Sequence, residues 1–268
     1  VLLLMVFAIK AALFPVQFWL PGTYANAPAP VAAMFAIMTK VGAYSIIRFT
    51  TLIFGPDVAA TEGLVGAWLT PAAGITVLVG AVGVLGAKRL MPMLSFAVVG
   101  SMGMLLLAVS AFTPYALATA LYYLVHSTFA AAAVFLLADL VVTRRGSDSL
   151  HTMAPLAQNG FFAALFFVGA IAMAGMPPLS GFIGKLMVMD AVRDTPWVAA
   201  AWSVILVASL LTIVGFARAG SGLFWKSTSV EVAAGNEDAP GTPGEHADAG
   251  TPKIRVGEVT PVFLSILM

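Results

Sequence analysis

The sequence has no cysteine, and only 9% of its 268 residues are charged. Without cysteine the chain can form no disulfide, thiolate metal site or iron–sulfur cluster of its own. A net charge of +1 gives no bulk attraction for nucleic acid or an acidic partner. No haem, flavin or nucleotide motif is recognisable, so no cofactor is expected. The apolar runs contain no glutamate, and Asp139 and Asp190 fall toward their ends. No carboxylate cluster suited to a hard cation is therefore visible, and no metal site is expected. The short alternating pattern of a membrane barrel is also missing.

What remains is hydrocarbon: 60% of the residues are hydrophobic and the mean hydropathy is +1.00. Several apolar stretches approach or exceed the roughly 20 residues a helix needs to cross a bilayer. The expected fold is all-α, a polytopic membrane helix bundle. Spans read at about 1 to 20, 29 to 54, 69 to 87, 92 to 112, 114 to 142, 159 to 193 and 197 to 219, with a truncated helix from about 259. Lys88 with Arg89, Arg144 with Arg145, and Arg218 with Lys226 occupy alternate connections, whereas Asp57, Glu62 and Asp194 occupy the others. That alternation assigns the basic loops to the cytoplasmic side of a multi-pass membrane protein. Trp19, Trp68, Trp197 and Trp225 are expected near the interfaces, where amphipathic rings prefer to sit.

Three regions follow: a transmembrane domain over 1–226, a linker over 227–256 and the start of a final helix over 257–268. The linker is rich in Gly, Pro, Ala and acids without apolar periodicity, which predicts disorder. The chain starts at Val1 inside an apolar run and stops inside "PVFLSILM", so it reads as a fragment of a longer protein.

Four titratable residues lie deep within the spans. At about 1.5 Å per residue, Lys10 is roughly 15 Å from the inner end of its span, Lys40 about 16 Å into the second, His126 about 18 Å into the fifth and Lys185 roughly 13 Å from the outer end of the sixth. All four share one depth. A lysine reaching about 6 Å from its Cα cannot snorkel from there, and a charge at the bilayer centre costs about 2.5 to 3.5 kcal/mol even on the gentlest scale. Such groups face protein or water. Read alone, His126 in "YYLVHSTFAAAA" fits a satisfied core residue as well as a relay.

Helix breakers accompany the lysines. Pro15 lies within "KAALFPVQFWLPG", and Gly175, Pro177, Pro178, Gly181 and Gly184 lie within "GMPPLSGFIGK". Proline removes a donor and frees carbonyls, which at membrane depth must be satisfied by protein or water. A plain proline kink is the simpler reading of either break. Broken helices beside ionisable residues are also how transporters build ion sites. Lysine suits proton transfer because desolvation brings its exchange within reach of neutral pH, which arginine's strongly basic group does not allow.

"KAALFPVQFWLPGTYANAPAPVAAMFAIMTKVGAYSIIRF" resembles the core signature of the proton-translocating family shared by the large membrane-arm subunits of respiratory complex I and by the A-type and D-type subunits of multisubunit Mrp or Pha cation/proton antiporters. "ALYYLVHSTFAAAAVFLLADL", "AGMPPLSGFIGKLMVMDA" and "FARAGSGLFW" are most similar to the D-type subunits. The resemblance implies a fold of fourteen helices with two inverted five-helix repeats, of which this chain would be the C-terminal half. It implies that Lys10 is the central lysine of a discontinuous helix, Lys40 the connecting lysine of the next, Lys185 the lysine of the second broken helix and His126 the relay histidine between them. The family's acidic residue that pairs with a lysine would lie upstream. Gln17 and Gly100 stand where many complex I relatives have histidine, which favours the antiporter branch.

The resemblance therefore implies a non-enzyme subunit of a hetero-oligomeric membrane complex that exchanges Na+ or K+ for protons and serves pH homeostasis. Its partners would be other antiporter subunits, the lipid bilayer and the transported ions. The alternatives are a proton-pumping subunit of an NADH-quinone oxidoreductase or membrane hydrogenase, and a non-conducting scaffold whose buried cations merely pair across helices.

Overall fold

The computed structural model describes residues 2–53, 64–151, 156 and 158–226. The expected linker over 227–256 and final helix over 257–268 lie outside the described residues. Within them the elements are α1 (Leu2–Lys10), α2 (Trp19–Asn26), α3 (Ala29–Arg48), α4 (Leu64–Gly86), α5 (Leu90–Val109), α6 (Pro114–Arg145), α7 (Asn159–Ala174), α8 (Ser180–Ala191) and α9 (Val198–Gly220). Single π-helical turns extend α3 over Phe49–Ile53 and α9 over Ser221–Trp225. This is an all-α, polytopic membrane bundle. Its α3, α4, α5, α6 and α9, with the two π-turns, are long and apolar enough to cross a bilayer. The pairs α1–α2 and α7–α8 are the two broken helices.

Local chemistry sets the ends. α6 starts at Thr113, whose hydroxyl accepts from the Ala116 N–H at 3.1 Å, with Pro114 as its first residue, where a missing N–H costs nothing. It stops at Gly146, which has φ +68° and caps the Val142 carbonyl at 2.8 Å. α5 is apolar all round and buries 17 of its 20 residues, as a helix surrounded by others must. α9 instead exposes Leu206, Val207, Leu210 and Val214, a face for lipid.

The breaks differ from the expected bounds in two ways. The first segment does not end near residue 20: a second helix, α2, runs from Trp19 to Asn26, because Pro21 falls in its first turn, where proline is tolerated. Trp19 is thus not an end anchor; its indole donates across the break to the Ile9 carbonyl at 2.8 Å. α4 begins at Leu64 rather than 69 and carries Pro71 in its interior. In the second broken helix the interruption runs from Gly175 to Leu179, and Gly181 is already the second residue of α8.

The basic connections meet at one end. Arg218 at the end of α9 donates to the Ala87 carbonyl at 2.6 Å, and Arg89 pairs with Asp148 at 2.9 Å. The Asp190–Arg193 pair, at 3.2 Å, follows α8.

Candidate functional site

Both breaks hold backbone groups that a continuous helix would satisfy internally, and the bundle supplies partners for them. After α1 the chain turns through Ala12, at φ +52°, with Leu13 N–H returning to the Ala8 carbonyl at 2.9 Å. The Phe14 N–H then leaves the segment and donates to Thr76 Oγ1 of α4 at 2.9 Å. Thr76 is fully buried, so no water competes. α3 crosses this break closely: a Cβ on Gly42 would lie 2.7 Å from Ala11 N. Only glycine permits that approach, and it sets Lys10, the last residue of α1, beside the level of Lys40.

The second break is held by Lys185. Gly175 ends α7 at φ +66°, and the lysine stem lies over it, since a Cβ there would stand 2.7 Å from Lys185 Cδ. Nζ donates to the Ala174 carbonyl at 2.6 Å and to Ser209 Oγ of α9 at 2.8 Å. The cation thus takes up a carbonyl at the negative end of a half-helix, a favourable setting for positive charge.

Lys40 is 2% exposed and its Nζ donates to Ser101 Oγ of α5 at 2.9 Å. Ser101 passes its own proton to the Val98 carbonyl at 2.7 Å. An ammonium has three donors, and an unpaired charge in such a place is costly. The Arg89–Asp148 and Arg193–Asp190 ion pairs both lie at helix ends, and no carboxylate bonds Lys40 or Lys185 among the described residues. Beside Lys40, Thr39 lies 3.4 Å from the Tyr24 hydroxyl, which also donates to the Phe35 carbonyl.

His126 is buried on α6 with Nδ1 2.9 Å from Ser180 Oγ, at the first residue of α8. Its other edge faces the break: a Cβ on Gly181 would fall 2.3 Å from the Ala172 carbonyl and 2.8 Å from Nε2. Lys185 and His126 both pack on the second break, and Lys185 shares a cavity lining with Ser101, the partner of Lys40, whereas Lys10 is exposed. Pro15 is likewise exposed within the first break. Pro177 and Pro178 sit within the second, and Phe14–Pro15 and Pro177–Pro178 are cis. Gln17 is 3% exposed, with Oε1 unpaired among the described residues. Gly100 packs on Gly80 of α4.

Three hydroxyls are silent in the sequence: Thr76, Ser101 and Ser209. A serine or threonine in an apolar helix commonly bonds its own preceding turn, as Ser95 does to the Met91 carbonyl. Nothing in the sequence separates such a residue from Ser101.

The site thus consists of a multi-pass bundle with two broken helices, buried Lys40 near one break and half-buried Lys185 capping the other, and discontinuous helices of this kind recur in membrane transporters. The chain belongs to the transmembrane family "NADH:quinone oxidoreductase/Mrp antiporter", whose model matches residues 1–213. It is 38% identical over 228 residues to the D-type subunit of the Na(+)/H(+) antiporter of Bacillus subtilis (strain 168), covering 84% of this chain and 45% of that protein. It is 34% identical to the D-type subunit of a probable K(+)/H(+) antiporter of Rhizobium meliloti (strain 1021), covering 96% of this chain and 50% of that protein. Among solved structures it matches a chain of the Mrp complex from Dietzia sp. DQ12-45-1b with a TM-score of 0.75 at 34% identity, over 82% of this chain and 41% of that one. The chain spans about half the length of the curated relatives it matches.

Proposed function

We propose that this chain is part of a subunit of a multisubunit monovalent cation/proton antiporter in a bacterial plasma membrane, exchanging Na+ or K+ for protons in pH homeostasis. Protons move along a midplane line formed by Lys10, Lys40, His126 and Lys185. The observation that supports this reading is that buried Lys40, buried His126 and half-buried Lys185 are bonded to hydroxyl and carbonyl groups, with no carboxylate against them among the described residues. A scaffold would gain from counter-charges here, because a cation left without one destabilises the bundle. A relay gains from neutral partners that accept and return protons. Exposed Lys10 fits the same line: its cost against lipid is removed if further protein, in the complete subunit, covers α1. The names of the relatives, D-type subunits of antiporters, favour the antiporter, with other antiporter subunits as partners.

The family's description also includes quinone oxidoreductases, so a proton-pumping subunit of such an enzyme is the second reading. Copurification separates them, through small antiporter subunits in one case and iron–sulfur and flavin subunits in the other. The direct test is proton flux in everted vesicles carrying the assembled complex, with Na+ and K+ supplied separately. Flux driven by either cation supports the antiporter. Flux that needs a quinone reductant and ignores both cations overturns it.

A further inference from the structure

Beside Lys185 and Ser101, the hydroxyl partner of Lys40, lies a cavity of about 30 Å3 whose lining also includes Tyr123, Ser209 and Thr212. A polar cavity needs room for only about one water-sized sphere, some 10–15 Å3, to hold a water, provided it offers two to four polar partners. Ser101, Lys185, Ser209 and Thr212 are the polar and charged residues among those that line it. Lys40 reaches it through Ser101, whose hydroxyl is shared between Lys40 Nζ and the Val98 carbonyl. His126 stands to the side, its ring spanned between Ser180 and the Ala172 carbonyl at the break.

We propose that Ser101 is a relay hydroxyl, and that most of the proton flux between Lys40 and Lys185 runs through Ser101 and one water held in this cavity, with His126 carrying only a minor share. The proposal rests on the proton-transport reading above and adds to it a route and a residue. The step balances without any other reactant. The Lys40 ammonium gives a proton to Ser101 Oγ as the hydroxyl, turned from Val98 toward the cavity, gives its own to the water. The water in turn gives one to a neutral Lys185 amine. Serine and water end neutral, Lys40 ends as the amine and Lys185 as the ammonium, bonded to Ala174 and Ser209. Rotation of the hydroxyl back to Val98 resets the leg.

The test uses the complete complex in everted vesicles, comparing wild type with Ser101→Ala, Ser101→Thr and Ala208→Val. Ala208 is buried and lines the cavity from α9, so valine there fills the water's place without removing a side-chain hydrogen bond. Ser101→Ala should lower cation-driven proton flux about ten-fold or more, the loss expected on removing a positioned proton-transfer group, at unchanged membrane abundance. Ser101→Thr should restore most of it, and Ala208→Val should reproduce the loss. Full flux in Ser101→Ala or in Ala208→Val, with a working wild type, overturns this leg and leaves the antiporter reading standing. Loss in Ser101→Ala that threonine does not restore also overturns it, since a packing role would behave that way. A wild-type complex without cation-driven flux overturns both.

Discussion

Gly181→Ala perturbs the second break at one atom. The added Cβ would stand 2.3 Å from the Ala172 carbonyl oxygen and 2.8 Å from His126 Nε2. A carbon and a carbonyl oxygen approach to about 3.3 Å, so α8 must retreat from α7 and α6 by roughly 1 Å. Ser180 moves with it, and the 2.9 Å contact with His126 Nδ1 stretches beyond hydrogen-bond range. Overpacking of this kind costs about 1–3 kcal/mol, and the lost hydrogen bond about 0.5–1.5 kcal/mol more. Replacing a helical glycine returns up to about 1 kcal/mol. The net expectation is destabilisation of about 1–3 kcal/mol together with a loss of transport. Gly74→Ala is the control, because it lies within α4 with nothing inside 4 Å of the added carbon; it should be neutral or slightly stabilising. Thermal unfolding of the purified complex, followed beside vesicle transport, makes the comparison. A Gly181→Ala complex that melts with Gly74→Ala and transports normally would refute the close approach of α8 to α7.

Two further outcomes follow from the partners found at the breaks. Thr76→Val removes the acceptor of the Phe14 N–H at the same shape and should cost about 1–3 kcal/mol for a buried donor left unpaired, whereas Thr76→Ser should not; faster amide exchange at Phe14 in the valine variant checks it. Lys185→Ala should abolish proton flux while the complex persists, because leaving the Ala174 carbonyl and Ser209 unpaired is partly offset by removing a buried cation. Disappearance of the complex from the membrane, cured by neutralising an acidic residue elsewhere, would instead favour the scaffold.

The sequence determined the class of molecule, because hydropathy and the 1.5 Å rise per residue leave few ways to cross a bilayer. The helical membrane class, the two interrupted helices and the meeting of the basic loops at one end were legible from apolar length, proline and charge. The extra helix α2 was not, since "WLPGTYAN" has loop composition and forms a helix because Pro21 occupies its first turn. The early start of α4 was hidden by Pro71 in the same way, as a proline read near an end turned out to lie inside.

Depth counting along separate helices puts Lys10, Lys40, His126 and Lys185 at one depth, but says nothing of the side of its helix that each occupies. Rotation about each axis and the distance between axes are set by packing, through contacts such as Gly42 on the first break and Gly181 on Ala172. Those contacts alone decide that Lys10 faces outward while Lys40 turns toward α5. They also decide which hydroxyls matter. Thr76, Ser101 and Ser209 have the same local chemistry as their neighbours, and only the approach of another element gives Thr76 and Ser101 a second partner and brings Lys185 to Ser209.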